Sequence, residues 1–175
     1  MPAIDLFEHN RSAYQKVEEA LERAGKAAVI HPTGTGKSYI AFELIMRHPN
    51  KTFLWFAPSE YIFNQQTENL YKNQHIRFEN VSFHTYCWLM KNEDVIDGLK
   101  PDYIILDEFH RVGAKKWGES IRKLLERYPE TKVLGLTATN VRYLDKRRDM
   151  AEELFDGVVA SEMSLCEAMS LKILP

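Results

Sequence analysis

Cysteine is scarce in this sequence. Two residues, Cys87 and Cys166, stand far apart. No C-x-x-C pair exists, so neither a zinc centre nor a disulfide framework is expected, and both thiols read as small core hydrophobes. Long apolar runs are also lacking, and those present are far too short to span a bilayer. Residues 1–15 lack the basic-then-apolar order of a signal peptide, so the protein is expected to be cytoplasmic, with no membrane partner. Nor is there an excess of positive charge, the formal net charge being −2. A protein that grips phosphates over a whole face is usually basic. Nucleic-acid contact is therefore expected to be local, or shared with a part of the protein outside this chain. Internal repeats, low-complexity stretches and linkers are absent.

The 175 residues, 45% of them apolar, suffice for one domain with a real core. Helical and strand patterns alternate along them. Residues 12–24 read as a helix stopped by Gly25, and Ala27 to Ile30 as a short strand. A glycine loop and a helix from Lys37 to about Arg47 follow. Thr52 to Ala57 reads as a strand, Glu60 to Tyr71 as a helix, and Val81 to His84 as a strand. Tyr103 to Leu106 is a continuous apolar run, the mark of a strand buried on both faces. Lys115 to Tyr128 reads as a helix ended by Pro129, and Lys132 to Leu136 as the next strand. Residues 144–155 read as a helix, Val158-Val159 as a small strand and 164–172 as a last helix. The alternation predicts an α/β fold, a parallel sheet with helices on both faces. In such sheets ligands bind beyond the carboxyl ends of the strands.

Two motifs stand at such ends. His31-Pro32-Thr33-Gly34-Thr35-Gly36-Lys37-Ser38 follows a strand and opens a helix, the context of a phosphate loop. Gly34 and Gly36 permit turns that a side chain blocks, so that backbone N–H groups can point at phosphate oxygens. Lys37 reaches the outer phosphates, and the Ser38 hydroxyl can ligate magnesium. A glycine turn before a helix is the plain alternative. Against it, Lys37 in the first helical turn opposes the helix dipole, at a cost of about 0.3–1 kcal/mol that a bound polyphosphate reverses. The full G-x-x-x-x-G-K-S/T pattern asks for glycine where His31 stands.

The second motif is Asp102-Tyr103-Ile104-Ile105-Leu106-Asp107-Glu108-Phe109-His110, a buried strand that runs into two carboxylates. Carboxylates are costly to bury unless paired or bound to metal. Asp107 can hold magnesium through water, and Glu108 can orient and deprotonate an attacking water. The alternative is a solvated loop after a strand.

The ordered set HPTGTGKS, DEFH and TAT resembles motifs I, II and III of superfamily 2 helicases, nearer the DEAH-like branch than DEAD. The flanks of DEFH and TAT are similar to the helicase domain of type III restriction subunits. The resemblance covers nearly the whole chain and implies a RecA-like P-loop NTPase fold with ATP and magnesium as cofactors. It implies that Lys37, Glu108 and His110 are catalytic. Thr33, Gly34, Thr35, Gly36, Lys37 and Ser38 would bind ATP, and Ser38 and Asp107 the metal. Gln15 matches a family glutamine that reads adenine, although Ser12 to Gln15 also fits a helix capping box. Pro58 and Ser59 match motif Ia, and Thr85 and Tyr86 motif Ib, both of which touch a nucleic-acid backbone in the family. Ser59 and Thr85 also suit plain helix caps. Thr137 and Thr139 match motif III, which couples the ATP site to the nucleic-acid side, with His110 as partner. Asn140 stands where the family often has proline. Arg142, Tyr143 and Lys146-Arg147-Arg148 form a basic segment that fits a nucleic-acid contact or a solvated helix face.

The family also implies that the Lys132–Leu136 strand lies between the Ala27–Ile30 and Tyr103–Leu106 strands. It implies a second RecA-like domain carrying an arginine finger, and residues 1–175 are expected to be the first domain alone. The expected function is that of an ATP-dependent helicase or translocase acting on DNA rather than RNA. A P-loop ATPase outside the helicases, an RNA helicase, and a nucleotide-binding module without turnover are the alternatives.

Overall fold

The structure is a computed structural model that describes residues 4–139, 141–142 and 148–175. Its frame is a six-stranded, wholly parallel sheet. The strands are β1 (Lys26–Ile30), β2 (Phe53–Ala57), β3 (Val81–Thr85), β4 (Tyr103–Asp107), β5 (Lys132–Thr137) and β8 (Val159–Glu162). Their order across the sheet is β3-β2-β4-β5-β1-β8. β5 thus separates β1 from β4, as the family resemblance implies, and Thr137 pairs with Ile30. A separate two-stranded ribbon joins β6 (Val141–Arg142) to β7 (Arg148–Asp149).

Both faces of the sheet are covered because its central strands are apolar on both sides. All five residues of β2 and of β4 are buried. Trp55, Ile105 and Leu134 pack into one core with α1 (Glu8–Ala24), α2 (Lys37–Arg47) and α3 (Glu60–Gln74). Phe56, Ile104, Leu106 and Val133 pack into the other. The helices on that side are α4 (Tyr86–Lys91), α5 (Ile96–Leu99), α6 (Lys115–Arg127) and α7 (Met150–Phe155). A last short helix, α8 (Leu165–Ser170), follows β8. Among the described residues no helix is long and apolar enough to cross a membrane.

Three local differences from the expected elements have physical reasons. α1 begins at Glu8 rather than residue 12, so Ser12 lies inside the helix and the capping-box alternative falls. The helix expected over 144–155 begins only at Met150. Asp149 caps it, accepting from Ala151 N at 3.0 Å and Glu152 N at 3.2 Å, while residues 148–149 pair with β6. α4 and α5 are too short for their periodicity to stand out in sequence. Cys87 is half-buried and Cys166 is exposed, so the second thiol is not a core residue.

Gly135, in the middle of β5, marks a tight contact. A Cβ there meets Phe155 Cζ at 2.2 Å and Phe109 Cδ1 at 2.7 Å, and both rings are fully buried. Gly135→Ala is expected to destabilise the fold by about 1–3 kcal/mol, the usual cost of overpacking a core. Urea denaturation measures it.

Candidate nucleotide site

The loop between β1 and α2 is shaped by its glycines. Gly34 (φ 89°) and Gly36 (φ 80°) both lie in the left-handed region that side chains disfavour. At Gly36 a Cβ also falls 2.9 Å from the Asn10 amide nitrogen. The turn delivers the chain into α2, whose first-turn N–H groups have no helical acceptor and whose first turn carries no acid. These are the properties of an anion cradle. Thr33 and Gly34 are exposed, whereas Thr35 is buried, its hydroxyl donating to Pro32 O at 2.8 Å. Thr35 therefore braces the loop. Ser38, half-buried, stands one residue into the helix beside Lys37.

Lys37 donates to Pro32 O at 3.3 Å, so its ammonium lies over the loop. Burial lowers its pKa, and the charges of Glu108 and Asp107 oppose that shift. The cation of the loop and the acids of β4 thus share one field, although they stand far apart in sequence. Asp107 ends β4, with 3% of its surface exposed. Its pKa is raised to about 6, first by burial and then by Glu108, while a hydrogen bond from Gln66 and the charge of Lys37 pull it down. Tyr86, wholly buried, donates its hydroxyl to Asp107 O at 2.7 Å and fixes the strand end from below.

Glu108 follows in the left-handed region (φ 51°, ψ 46°), a conformation that costs a non-glycine residue about 1–3 kcal/mol. The turn sends its side chain away from the buried course of the strand, leaving the carboxylate about a third exposed. His110 Nδ1 stands 3.5 Å from Glu108 Oε2 and 2.7 Å from Thr137 Oγ1. Because the Thr137 hydroxyl donates to Thr139 O at 2.7 Å, it accepts from His110, which puts the proton on Nδ1. Glu108, His110, Thr137 and Thr139 form one continuous chain from the acidic strand end to the segment after β5. The loop joins it as well, since His31 N donates to Thr137 O at 3.0 Å.

His31 itself is buried, with Nε2 2.8 Å from Ser161 Oγ on β8. Burial first, then the positive fields of His9, Lys37 and Lys16, push its pKa down to about 4, so it is neutral near pH 7. The residue in the place of a glycine therefore ties the loop to the edge strand without adding charge.

The remaining expected residues divide. Pro58 and Ser59 follow β2, both half-buried, and Ser59 makes no side-chain cap to α3. Thr85 does cap α4, accepting from Trp88 N at 2.9 Å. Tyr86 is corrected: with no exposed surface it cannot touch a nucleic acid, and its role is to hold Asp107. The side chain of Arg142 and all of Asn140, Tyr143, Lys146 and Arg147 lie outside the described residues. Gln15 is exposed on α1, beside Tyr14, Glu18, Glu43 and Arg47 rather than at the loop. Seven residues past Glu8, it lies about 10 Å along the helix from its start. The carboxamide that meets the loop belongs to Asn10, which donates to Thr35 O at 3.1 Å and Gly36 O at 3.2 Å, and His9 Nε2 donates to Thr35 O at 2.7 Å. Sequence reading missed both because residues 8–11 are polar, without the apolar spacing that marks a helix.

Comparison with known proteins gives a family and a set of similar folds. The family model described as type III restriction enzyme, res subunit, matches residues 3–142. No curated protein matches the chain by sequence. Among solved structures it is similar to the helicase domain of Hef from Pyrococcus furiosus, with 19% identity and a TM-score of 0.66 over 97% of this chain and 39% of that one. It is also similar to the type ISP restriction-modification enzyme LlaBIII bound to DNA, with 17% identity and a TM-score of 0.72 over 97% of this chain and 16% of that one. A nuclease-deletion mutant of the type ISP enzyme LlaGI, in complex with a DNA substrate mimic, gives 16% identity and a TM-score of 0.72 over 97% and 18%. At these identities the likeness is one of fold, and the chain spans well under half the length of each.

Proposed function

The chain belongs to the family of type III restriction enzyme res subunits, as a RecA-like helicase ATP-binding domain, and from that premise we propose that it binds and hydrolyses ATP to drive movement on DNA. The observation that carries the proposal is the shared field of Lys37, Asp107 and Glu108 at the carboxyl ends of the central strands.

Each residue takes a role from its placement. The N–H groups of the loop and Lys37 receive the phosphates. Asp107 and Ser38 hold magnesium, which neutralises phosphate charge when bound. The donor set suits it: a carboxylate pushed up first by burial and then by a neighbouring acid is relieved by a divalent cation. Glu108 accepts the proton of the attacking water. His110 and Thr137 pass the state of that site to the segment after β5.

Preference for DNA is supported by the restriction relatives, two of which were solved with DNA or a mimic of it. The family resemblance implies a second domain that carries an arginine finger. An arginine at the transferring phosphoryl group is worth about 10³–10⁵ in rate. We therefore infer that a second domain supplies it and that this chain alone turns ATP over slowly. Steady-state ATPase on the chain, with and without single-stranded DNA or RNA, tests this. Slow turnover supports it, and fast turnover by the chain alone, stimulated by nucleic acid, contradicts it.

A pH dependence follows from Asp107. Magnesium must displace its proton once the pH falls below about 6. Magnesium-dependent ATP affinity is expected to drop between pH 7 and pH 5 more steeply in wild type than in Asp107→Ala, which shares the protonation of the terminal phosphate but lacks the titrating carboxylate. Calorimetry at the two pH values measures the difference.

A further inference from the structure

Ser161 stands outside every motif of the sequence, on the edge strand β8, yet it holds the residue that opens the phosphate loop. Its Oγ lies 2.8 Å from His31 Nε2, and His31 has 1% of its surface exposed. The pairing of β1 with β8 sets up this contact. Ala28 stands opposite Val159, but Val29 stands opposite Ser161, because the register shifts between them. An unshifted ladder would set Ser161 against Ile30. Side chains alternate along a strand, so that register would turn the hydroxyl to the face opposite to His31. The shift brings Ser161 into step with Val29, and so with His31 on the same side of β1. Irregularities of this kind gather at sheet edges and beside functional sites, where they re-aim a side chain.

His31 is held from both neighbours of β1. On the β5 side its N–H donates to Thr137 O at 3.0 Å. On the β8 side its ring meets Ser161, and Ile30 O accepts from Met163 N at 2.8 Å. The ring's Nδ1 is buried and has no partner among the described residues, so Nε2 and Ser161 alone orient the imidazole. The other ties of the loop act further along it. Thr35 Oγ1 and Lys37 Nζ both donate to Pro32 O, and Asn10 Nδ2 donates to Thr35 O and Gly36 O. Those bonds set the internal shape of the loop and its seat on α1. The His31–Ser161 bond sets where the loop leaves the sheet.

We propose that Ser161 and His31 are positioning residues for phosphate binding, which makes the edge strand β8 a working part of the nucleotide site. The inference rests on the phosphates lying at the loop. An anion cradle is built of backbone N–H groups, and their aim depends on the path of the backbone. Gly34 and Gly36 are the freest residues of that path, and both take left-handed conformations. A loop with so much freedom in its middle takes its direction from its ends. The start of α2 fixes one end, and His31, oriented by Ser161, fixes the other. The effect on the phosphates is indirect, through the backbone of the loop.

Calorimetric titration of the 175-residue chain with inorganic tripolyphosphate and magnesium tests this. Wild type, Ser161→Ala, His31→Ala, the double variant and Ser161→Thr are compared, and each is melted to follow folding. Ser161→Ala removes a single half-buried hydroxyl, and Ser161→Thr keeps it. Each alanine variant is expected to bind about five- to tenfold more weakly, the range of one neutral hydrogen bond. The double variant is expected to lose no more than either single one, because both remove the same bond. Ser161→Thr is expected to bind within about twofold of wild type. Wild-type affinity in Ser161→Ala, whatever its melting temperature, makes the bond merely structural and overturns the proposal. Losses that multiply in the double variant overturn it too, as does a loss in Ser161→Thr equal to that in Ser161→Ala. If wild type itself binds no tripolyphosphate, the phosphate site proposed above fails and this inference falls with it.

Discussion

Glu108→Gln leaves nucleotide binding intact and lowers turnover by about 10²–10⁴-fold, the usual contribution of a positioned general base. In the proposed reaction the carboxylate would act by accepting a proton, which an amide cannot do. Its position for proton transfer comes from the left-handed turn after β4, from its partial exposure, and from His110 Nδ1 at 3.5 Å. The substitution also removes a negative neighbour from Asp107, one of the causes of its raised pKa. Magnesium binding is therefore preserved or improved. Single-turnover kinetics with a parallel binding titration separates the two effects, with affinity expected to stay within about threefold of wild type. Normal turnover in the variant removes Glu108 from the chemistry.

Lys37→Ala weakens ATP binding by about 100-fold or more, as expected when one partner of a desolvated charge pair is truncated. The ammonium is half-buried, and the charges of Glu108 and Asp107 oppose the lowering of its pKa by burial. Its loss deprives the outer phosphates of their cation and turns the field at the loop negative, since Asp107 and Glu108 remain. Affinity falls for ATP and tripolyphosphate alike, as it must where the cation serves the phosphates and not the base. Stability changes little by comparison, because the hydrogen bond that is lost, to Pro32 O, is long at 3.3 Å.

The sheet was legible because its strands are short apolar runs between turn signals, and Tyr103 to Leu106 could be nothing but a strand buried on both sides. The order of strands was not legible from periodicity; it came from motif resemblance. The phosphate loop and the acidic strand end were readable because their chemistry lies in contiguous residues. Contacts made across the fold were not. Tyr86 looked like a surface contact beside Thr85, yet its ring fills the core and its hydroxyl serves Asp107. Gln15 matched a motif by its neighbours in sequence, while the helix that carries it begins at Glu8 and presents Asn10 to the loop instead. The start of a helix is set by which residues find partners, and Thr35, the partner of both His9 and Asn10, lies 26 and 25 residues away from them.

The proposed mechanism centres on a nucleotide whose phosphates would sit between the Gly34–Ser38 loop and Asp107 with magnesium. Calorimetric titration of the chain with tripolyphosphate, with magnesium and with a chelator, tests that placement without involving the base or the second domain. The expected result is one site per chain, at least about tenfold tighter with magnesium than without, and an Asp107→Ala variant in which that difference disappears. Binding that ignores magnesium, or that Asp107→Ala leaves unchanged, contradicts it.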